Sequence, residues 1–399
     1  MTNNRKNQFK KIETSAEEIG ERIKEHHLRV FKGMLMGLVG VVALVGVMSV
    51  YFMLKTYTDY TVIKKVERQD TLDTRFAEFN GNILKYSNDG AFYTDIYNHL
   101  IWNQTYEMND PMIDICEDYV AIASGKGTHI YILNQDGLKG EIETAVPIRQ
   151  IEVGNQGTVA VLMGQDGNSY IKLYSKEGKE LAQGELHLEN SGYPLSMSIS
   201  NDCKKMAVSL VDVEHGAVDT TIKFYNFGSV GQNEIDNEVK KYSYQDTLIP
   251  EIEFIDNDYM IAFGDKKAII YEGIQKPVEK KVIKFPAEIK NVFYSNSYFG
   301  FIYSGKNKEN KEVEKLEVYE KKGTRVLNKE FSMNYTKVEI INDREVVIIG
   351  DMDCMVYNMK GVMKFQGKTK KPILKIQKGE TSRSYILILE GETQRIRLK

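Results

Sequence analysis

The sequence predicts an all-β protein: a β-propeller of about eight four-stranded blades, preceded by one transmembrane α-helix and a short cytoplasmic helix. Two observations support this fold class. From residue 75 onwards, short segments with alternating apolar and polar residues recur about every 43 residues, and four short strands at this spacing are typical of a propeller blade. Upstream, one long segment contains no charged side chain at all.

Residues 1–32 form a basic arm that we place in the cytoplasm. The arm carries eight Lys/Arg and five Glu, whereas the remaining chain is acidic, so that the whole protein has a net charge of −3. Ser15 and Glu18 have the form of a capping box at a helix N-terminus, and apolar residues follow at spacings of three and four. We therefore predict a short, weakly amphipathic helix that is broken or kinked near Gly20.

The segment Gly33–Leu54 is the predicted membrane span. Its twenty-two residues would extend about 33 Å as a helix, enough to cross a hydrocarbon core of about 30 Å. Lys32 and Lys55 flank the segment, and Tyr51 and Tyr57 lie where an aromatic belt would meet one membrane interface.

Two other interpretations of this segment are less consistent with the sequence. A cleavable signal peptide has a shorter apolar core and a small-residue cleavage site, and a buried helix of a soluble protein shows a polar stripe. An uncleaved signal anchor fits better, and the positive-inside bias then places residues 55–399 outside the cytoplasm. Gly33 and Gly37 form one GxxxG spacing that could support weak self-association, although glycine is common in membrane helices.

Residues 55–74 form a juxtamembrane segment with one extended stretch, 60–68. The eighth repeat ends at Lys399 and lacks a fourth strand. Pairing of the stretch 60–68 with the last blade would complete that blade, close the ring and remove an unpaired sheet edge. The alternative is a simple linker.

Residues 75–399 form the predicted propeller. The second strands of its repeats begin near Ile83, Tyr119, Val159, Met206, Tyr259, Tyr298, Val346 and Tyr385. These eight strands predict eight blades, and merging the irregular copies would leave seven. In the fourth copy, residues 228–245 form a polar insertion of the kind that can line a binding surface.

The sequence contains no constellation of residues that specifies a reaction. It lacks the G-x-S-x-G elbow of serine hydrolases, and its histidines share no metal-ligand spacing. Three widely spaced cysteines make no disulfide framework, which fits an exported protein of a bacterial envelope. We expect no metal and no cofactor.

Several aspartates recur between or inside the inner hairpins of the repeats. If several of them pointed into one channel mouth, they could bind a cation or a basic partner. Otherwise they are turn formers that bond their own backbone. The set is Asp110, Asp114, Asp202, Asp256, Asp258 and Asp343.

With these repeats, the chain resembles an uncharacterised family, a domain of unknown function, of single-span membrane-anchored propeller proteins from clostridia and related Gram-positive bacteria. The family has weak similarity to quinoprotein-like and WD40-like propellers. The resemblance implies fold and topology but supplies no catalytic residues. With one Trp and no Gly-His or Trp-Asp dipeptide, the chain departs from quinoproteins and WD40 proteins. The matching stretches include FNGNILKYSNDGAFY, LIWNQTYEMNDP, DICEDYVAIA and SGYPLSMSISND.

The favoured function is a non-catalytic, membrane-anchored binding or scaffold module for a protein, peptide or glycan of the cell envelope. Nucleic acid is not an expected partner. The alternative is an enzyme or cofactor-binding protein whose site is assembled at the channel mouth from several blades. Three or more carboxylates within hydrogen-bonding reach at one mouth would favour that alternative.

Overall fold

The computed structural model describes residues 16–71, 73–165, 167–187, 192–214 and 217–399. The chain divides into two compact units, Met1–Lys55 and Thr56–Lys399.

The described part of the first unit is one continuous helix, α1 (Ala16–Leu54). The predicted separate cytoplasmic helix is therefore not observed, because the helix passes through Gly20 without a break; Ser15 lies outside the described residues. Among those residues, one helical segment, Gly20–Met48, is long and apolar enough to cross a membrane. Its large apolar side chains from Met34 to Leu44 are between 50% and 71% exposed, as expected for a helix that lipid would cover.

The described residues of the second unit form eight antiparallel four-stranded sheets. Blade 1 consists of β2 (Arg75–Phe79), β3 (Asn82–Ser87), β4 (Gly90–Thr94) and β5 (Leu100–Thr105). Blade 2 consists of β6 (Pro111–Cys116), β7 (Tyr119–Ser124), β8 (His129–Asn134) and β9 (Gly137–Glu143). Blade 3 consists of β10 (Ile148–Val153), β11 (Val159–Gln165), β12 (Asn168–Tyr174) and β13 (Glu180–His187). Blade 4 consists of β14 (Tyr193–Ile199), β15 (Lys205–Glu214), β16 (Ala217–Asn226) and β17 (Glu238–Tyr244).

The second half of the ring repeats this meander. Blade 5 consists of β18 (Glu251–Phe254), β19 (Tyr259–Phe263), β20 (Lys267–Glu272) and β21 (Val278–Lys284). Blade 6 consists of β22 (Ile289–Tyr294), β23 (Tyr298–Lys306), β24 (Glu312–Glu320) and β25 (Arg325–Phe331). Blade 7 consists of β26 (Lys337–Ile341), β27 (Glu345–Ile349), β28 (Asp353–Asn358) and β29 (Met363–Lys368). Blade 8 consists of β30 (Ile373–Lys378), β31 (Ser384–Leu389), β32 (Glu392–Leu398) and β1 (Tyr60–Glu67).

The structure confirms the eight-bladed propeller. The eight predicted second strands lie in eight different sheets. Eight hydrophobic clusters among the described residues each join two neighbouring blades. A single small sheet cannot bury both of its faces, so the ring of blades supplies the missing contacts.

The predicted ring closure is also present. Strand β1 pairs antiparallel with β32, from Tyr60 opposite Leu398 to Glu67 opposite Glu392, with a bulge between Val62 and Lys64. Because of this pairing, strands from both ends of the propeller complete the last blade, which has four strands like the other described sheets.

The insertion predicted in the fourth copy is shorter than expected. Glu238–Tyr244 is the fourth strand of blade 4, and only residues 227–237 form a loop, with two short 3₁₀ turns. Outermost strands expose much of their surface, so this one has a largely polar sequence that resembles a loop. Only Val239 in the strand is fully buried, at 8% exposure.

The strand order defines two faces of the ring. Inner strands contact neighbouring inner strands around the axis, for example β14 with β18 and β10 with β6. We call the face where the inner strands begin the upper face, and the face where they turn into the second strands the lower face. In an antiparallel meander, the turns between third and fourth strands also lie on the lower face.

Candidate ligand-binding site in the central channel

The six aspartates singled out in the sequence lie at three different levels of the ring. Asp110 is on the upper face, where its carboxylate pairs with Arg75 at 2.6 Å. Asp114 lies within the inner strand β6. Asp202, Asp256, Asp258 and Asp343 lie in inner-hairpin turns of the lower face. The six therefore do not converge on one mouth.

The lower-face aspartates bond to their own turns and to neighbouring blades. Asp256 Oδ1 accepts the backbone N–H groups of Asp258 and Tyr259, both at 2.8 Å. Asp202 Oδ1 accepts the Ser200 hydroxyl at 2.8 Å. These contacts are those of turn-forming aspartates.

Two further contacts of this set cross between blades. Asp343 Oδ2 of blade 7 accepts the Ser297 hydroxyl of blade 6 at 3.0 Å. Lys205 Nζ of blade 4 lies 3.5 Å from Asp258 Oδ1 of blade 5. The lower-face aspartates thus connect successive blades.

The site that the structure brings together is an acidic cluster inside the channel. It consists of Asp114 of β6, Glu152 of β10, and Glu251 and Glu253 of β18, with Tyr294 of β22 at its edge. Sequence reasoning identified only Asp114. The signal for the others was the period-two alternation of the inner strands, IRQIEV and EIEF, which places every second side chain on the same side.

Burial and mutual repulsion raise the pKa values of this cluster. Burial raises the pKa of Asp114 to about 6, although the Val153 N–H donates to its carboxylate at 2.5 Å. Burial, followed by repulsion from Asp114, raises the pKa of Glu152 and of Glu253 well above the ordinary value. The negative charge of Glu253 is the main reason why the pKa of the Tyr294 hydroxyl is raised. Within the described ranges, no Lys or Arg nitrogen forms an ion pair with Asp114, Glu152, Glu251 or Glu253.

Elsewhere in the channel, a carboxylate has cationic partners. Glu339 of blade 7 is bonded to Lys375 of blade 8 at 3.1 and 3.2 Å and paired with Lys337 at 2.5 Å. Burial alone would raise the pKa of Glu339, but the two lysines outweigh it and the pKa is lowered. The charge in the channel is therefore unevenly distributed: Glu339 has two lysine partners, whereas the acidic cluster of blades 2, 3 and 5 has no ion pair with a described residue.

A cavity of about 1250 Å³ opens from this cluster towards the upper face. Its wall includes Glu152, Glu251, Glu253 and Tyr294 together with Gln150. Gln150 is held in place because its side chain donates to Met197 O at 2.6 Å and to Glu152 Oε1 at 2.9 Å, and accepts from Met197 N at 2.8 Å. The Glu152 carboxylate is therefore oriented before any ligand arrives.

Arg149 forms part of the cavity rim. Its guanidinium lies 5.0 Å from the ring centroid of Tyr193 and donates to Ser169 Oγ at 3.2 Å. It passes over Gly164, where an added Cβ would lie 2.2 Å from the guanidinium carbon. The absence of a side chain at Gly164 thus makes room for the arginine, which keeps its charge at the rim and away from the carboxylates below.

The acidic cluster offers several carboxylate oxygens as hydrogen-bond acceptors, and no described Lys or Arg forms an ion pair with them. In the part of the chain that the structure describes, no three His, Cys, Asp or Glu side chains converge closely enough to hold a metal ion. The described residues also contain no hydrogen bond between two carboxylates of the cluster. The carboxylate oxygens of this cluster can accept hydrogen bonds from a positively charged group.

The predicted membrane-flanking residues fall into two groups. Lys32 and Tyr51 lie in α1, where Tyr51 is 61% exposed, and Lys55 follows the helix end. Tyr57 is instead 3% exposed and belongs to the hydrophobic cluster of blades 7 and 8. Its side chain is therefore a core residue of the propeller and not part of an aromatic belt.

Comparison with solved structures gives propellers at very low sequence identity. Sqt1 from Saccharomyces cerevisiae aligns at a TM-score of 0.52 and 10% identity, over 86% of this chain and 100% of that one. Apo AztD from Citrobacter koseri aligns at 0.50 and 10%, over 75% and 87%. BamB from Moraxella catarrhalis aligns at 0.49 and 11%, over 85% and 100%. Such likeness shows the fold alone.

Comparison with curated protein sequences gives no match. A family model does match, over residues 53–398, and it is described as a family of unknown function, DUF5711. The clostridial origin suggested by the sequence stays a prediction. Because the match covers nearly the whole chain from the end of α1 onwards, the protein belongs to the DUF5711 family.

Proposed function

We propose that the protein is a membrane-anchored binding module that accepts a positively charged group of a partner in its acidic channel. The observation that carries the proposal is the set of four carboxylates in blades 2, 3 and 5 without a cationic partner among the described residues. Buried charges are costly unless they are paired. A lysine or arginine side chain of a partner would supply the missing charge.

The anchoring part of the proposal rests on the apolar helix and on charge. Residues 33–54 would cross the membrane, with the basic arm in the cytoplasm and the propeller outside. The partner would be a protein or peptide of the cell envelope with a basic segment, which the acidic channel favours over a neutral glycan. Gly33 and Gly37 could allow weak self-association in the membrane.

Thiol labelling of intact cells tests this topology. Cys203 is a poor reporter, because burial raises the pKa of its thiol to about 11. We expect a cysteine introduced by Lys308→Cys, in an exposed turn of blade 6, to react with an impermeant reagent, and one introduced by Asn4→Cys to resist it. The reverse pattern would place the propeller in the cytoplasm.

Calorimetry with the full chain in nanodiscs tests the binding. The probe is an end-capped tetralysine peptide, compared with tetraglutamine. Pairing a partly buried carboxylate with a cation contributes about 1.5–3 kcal/mol, so we expect Glu152→Gln with Glu253→Gln to weaken tetralysine binding by about 10- to 100-fold. The matched control is Glu309→Gln with Glu312→Gln, two exposed carboxylates of blade 6.

Proton linkage makes the same experiment more specific. Since a bound cation favours the ionised carboxylates, tetralysine should release protons at pH 6, and the binding heat should depend on the buffer. Equal affinity for both peptides, or unchanged affinity in the double channel variant, would refute the proposal.

A second candidate function is acid–base catalysis in the same channel. It is favoured by Asp114, whose pKa of about 6 lies within a cluster of other acids, because carboxylates with separated pKa values can act as acid and base. We rank catalysis below binding because no two carboxylates of the cluster are hydrogen-bonded to each other among the described residues. Mass spectrometry of a bound peptide after long incubation distinguishes the two: chemical change that is lost in Asp114→Asn would favour the enzyme.

A further inference from the structure

The chain joins the propeller at a fixed place on the lower face. Thr56 Oγ1 donates to Met363 O at 2.8 Å, Tyr57 N–H donates to Lys364 O at 2.9 Å, and Gln366 N–H donates to Tyr57 O at 3.0 Å. These partners belong to the first part of β29, which starts at the lower face. Strand β1 then begins beside Leu398, also at the lower face.

This attachment follows the proposed membrane span almost directly in the sequence. Only Lys55 separates the last residue of α1, Leu54, from the bonded Thr56. An extended chain spans at most about 3.6 Å per residue. In the proposed anchoring, the chain therefore leaves the lipid within one residue of Thr56, which is bonded to blade 7.

The charged residues of the lower face are unevenly distributed between blades 1–5 and blades 6–8. The lower-face turns of blades 1–5 contain ten acidic and four basic residues. The corresponding turns of blades 6–8, with Asp59 and the C-terminal residue, contain three acidic and six basic residues. The six are Lys321, Lys322, Arg344, Lys360, Arg383 and Lys399. The part of the lower face formed by blades 6–8, which includes the attachment, is thus basic, and the part formed by blades 1–5 is acidic.

Three of these cations are available to an external anion. Lys321 pairs with Asp256, and Lys399 with Asp59. Lys322, Arg344 and Lys360 are exposed, and none of them forms an ion pair with a described residue. Lys322 lies in blade 6, whereas Arg344 and Lys360 lie in two different turns of blade 7, so the three mark a surface and not a single pocket.

We propose that this surface, the basic rim defined by Lys322, Arg344 and Lys360, docks on the anionic phospholipid headgroups of the membrane that holds the anchor. Basic groups near a membrane are attracted to anionic lipids, and the attraction is lost with distance and salt. The proposal rests on the proposed anchoring and deepens it. Docking would direct the lower face to the lipid and leave the channel mouth on the upper face open to a partner.

Hydrogen exchange of the full chain in nanodiscs tests the proposal. The discs contain either phosphatidylcholine alone or a mixture with phosphatidylglycerol. In the anionic discs we expect exchange in residues 321–324 and 359–362 to slow at least threefold. The effect should disappear in 0.5 M salt and in the triple variant Lys322→Glu, Arg344→Glu, Lys360→Glu.

The matched control makes the same charge change on the upper face, with Lys126→Glu, Lys266→Glu and Lys308→Glu, and should keep the protection. Equal exchange in both kinds of disc, in protein that has inserted, overturns the docking and leaves the anchoring intact. Protection of upper-face turns instead also overturns it. Failure of the chain to insert into either disc refutes the anchoring itself, and the docking with it.

Discussion

At the level of single residues, the channel carboxylates are the part of the protein most sensitive to pH. Asp114 is ionised at a higher pH in the folded chain than in an unfolded one, where its pKa would be near 3.8. Below about pH 4 it is protonated in both states and has no effect. Between pH 4 and 6 the unfolded chain loses the proton first, so the free energy of unfolding falls as the pH rises.

We therefore predict that Asp114→Asn stabilises the protein at pH 7 and has little effect at pH 4. A shift of about two pKa units corresponds to at most about 3 kcal/mol. Denaturant unfolding between pH 5 and 7 avoids the titration of the strongly paired Glu392, whose pKa is about 2. Glu152 and Glu253, whose pKa values are also raised, are present in both proteins, so the difference in pH slope between Asp114→Asn and the unchanged protein reports on Asp114. The control is Asp246→Asn, at an exposed turn carboxylate. An unchanged pH slope in Asp114→Asn would contradict the assignment of Asp114 as a buried, uncompensated acid.

At the level of elements, β1 determines whether the ring is closed. Arg68, at the end of this strand, donates to Leu389 O at 2.8 Å and to Asp70 Oδ2 at 2.8 Å and also bonds Thr393. Its side chain is 3% exposed. These contacts of Arg68, together with the buried ring of Tyr57, connect the segment after the helix to blades 7 and 8.

We predict that a chain beginning at Thr56 melts cooperatively, whereas one beginning at Thr74 is markedly less stable or aggregates through the bare edge of β32. Thermal melting of the two proteins gives the comparison. Tyr57→Ala should by itself destabilise by about 3–5 kcal/mol, since a large buried ring is lost, and Thr58→Ala, at an exposed neighbour, should not. Equal melting temperatures would mean that β1 is only a linker.

At the level of the whole molecule, each blade has two neighbours, and their shared clusters couple the ring. At the interface of blades 7 and 8, Glu345 is 5% exposed and accepts Lys378 Nζ at 3.0 Å and Tyr385 Oη at 2.6 Å. Lys364 completes the group. Burial lowers the pKa of Lys378 to about 8, so removal of Glu345 would leave two poorly solvated lysines.

We predict that Glu345→Ala lowers the free energy of unfolding by about 3–5 kcal/mol. The single tryptophan, Trp102, bonds Asn134 O at 3.0 Å and reports on blades 1 and 2. If the closed ring unfolds as one unit, Trp102 fluorescence and far-UV circular dichroism will shift together. Glu345→Leu with Lys378→Met should recover much of the loss. A fluorescence transition that stays in place while the dichroism moves would show blades unfolding separately.

The repeat, the blade number and the ring closure could all be predicted from the amino-acid sequence. Period-two alternation and turn residues are local properties, and the missing fourth strand of the last copy left only residues 60–68 to complete it. The sequence was less informative for outermost strands such as Glu238–Tyr244, whose exposed residues resemble a loop.

The composition of the channel site and the position of Tyr57 were decided by the tertiary structure. Asp114, Glu152 and Glu253 are far apart in the chain, and similar acids occur in many exposed strands. Closure of the eight blades directs one side of each inner strand towards a common axis. The electrostatic interactions between these side chains depend on their distance and on the local dielectric constant, and not on their spacing in the sequence. In the sequence, Tyr57 lies beside an apolar span and resembles a residue of the membrane interface. In the structure, its backbone bonds β29 and its side chain is buried. Local patterns specify which segments become strands, but only the closed ring determines which side chains share a buried space.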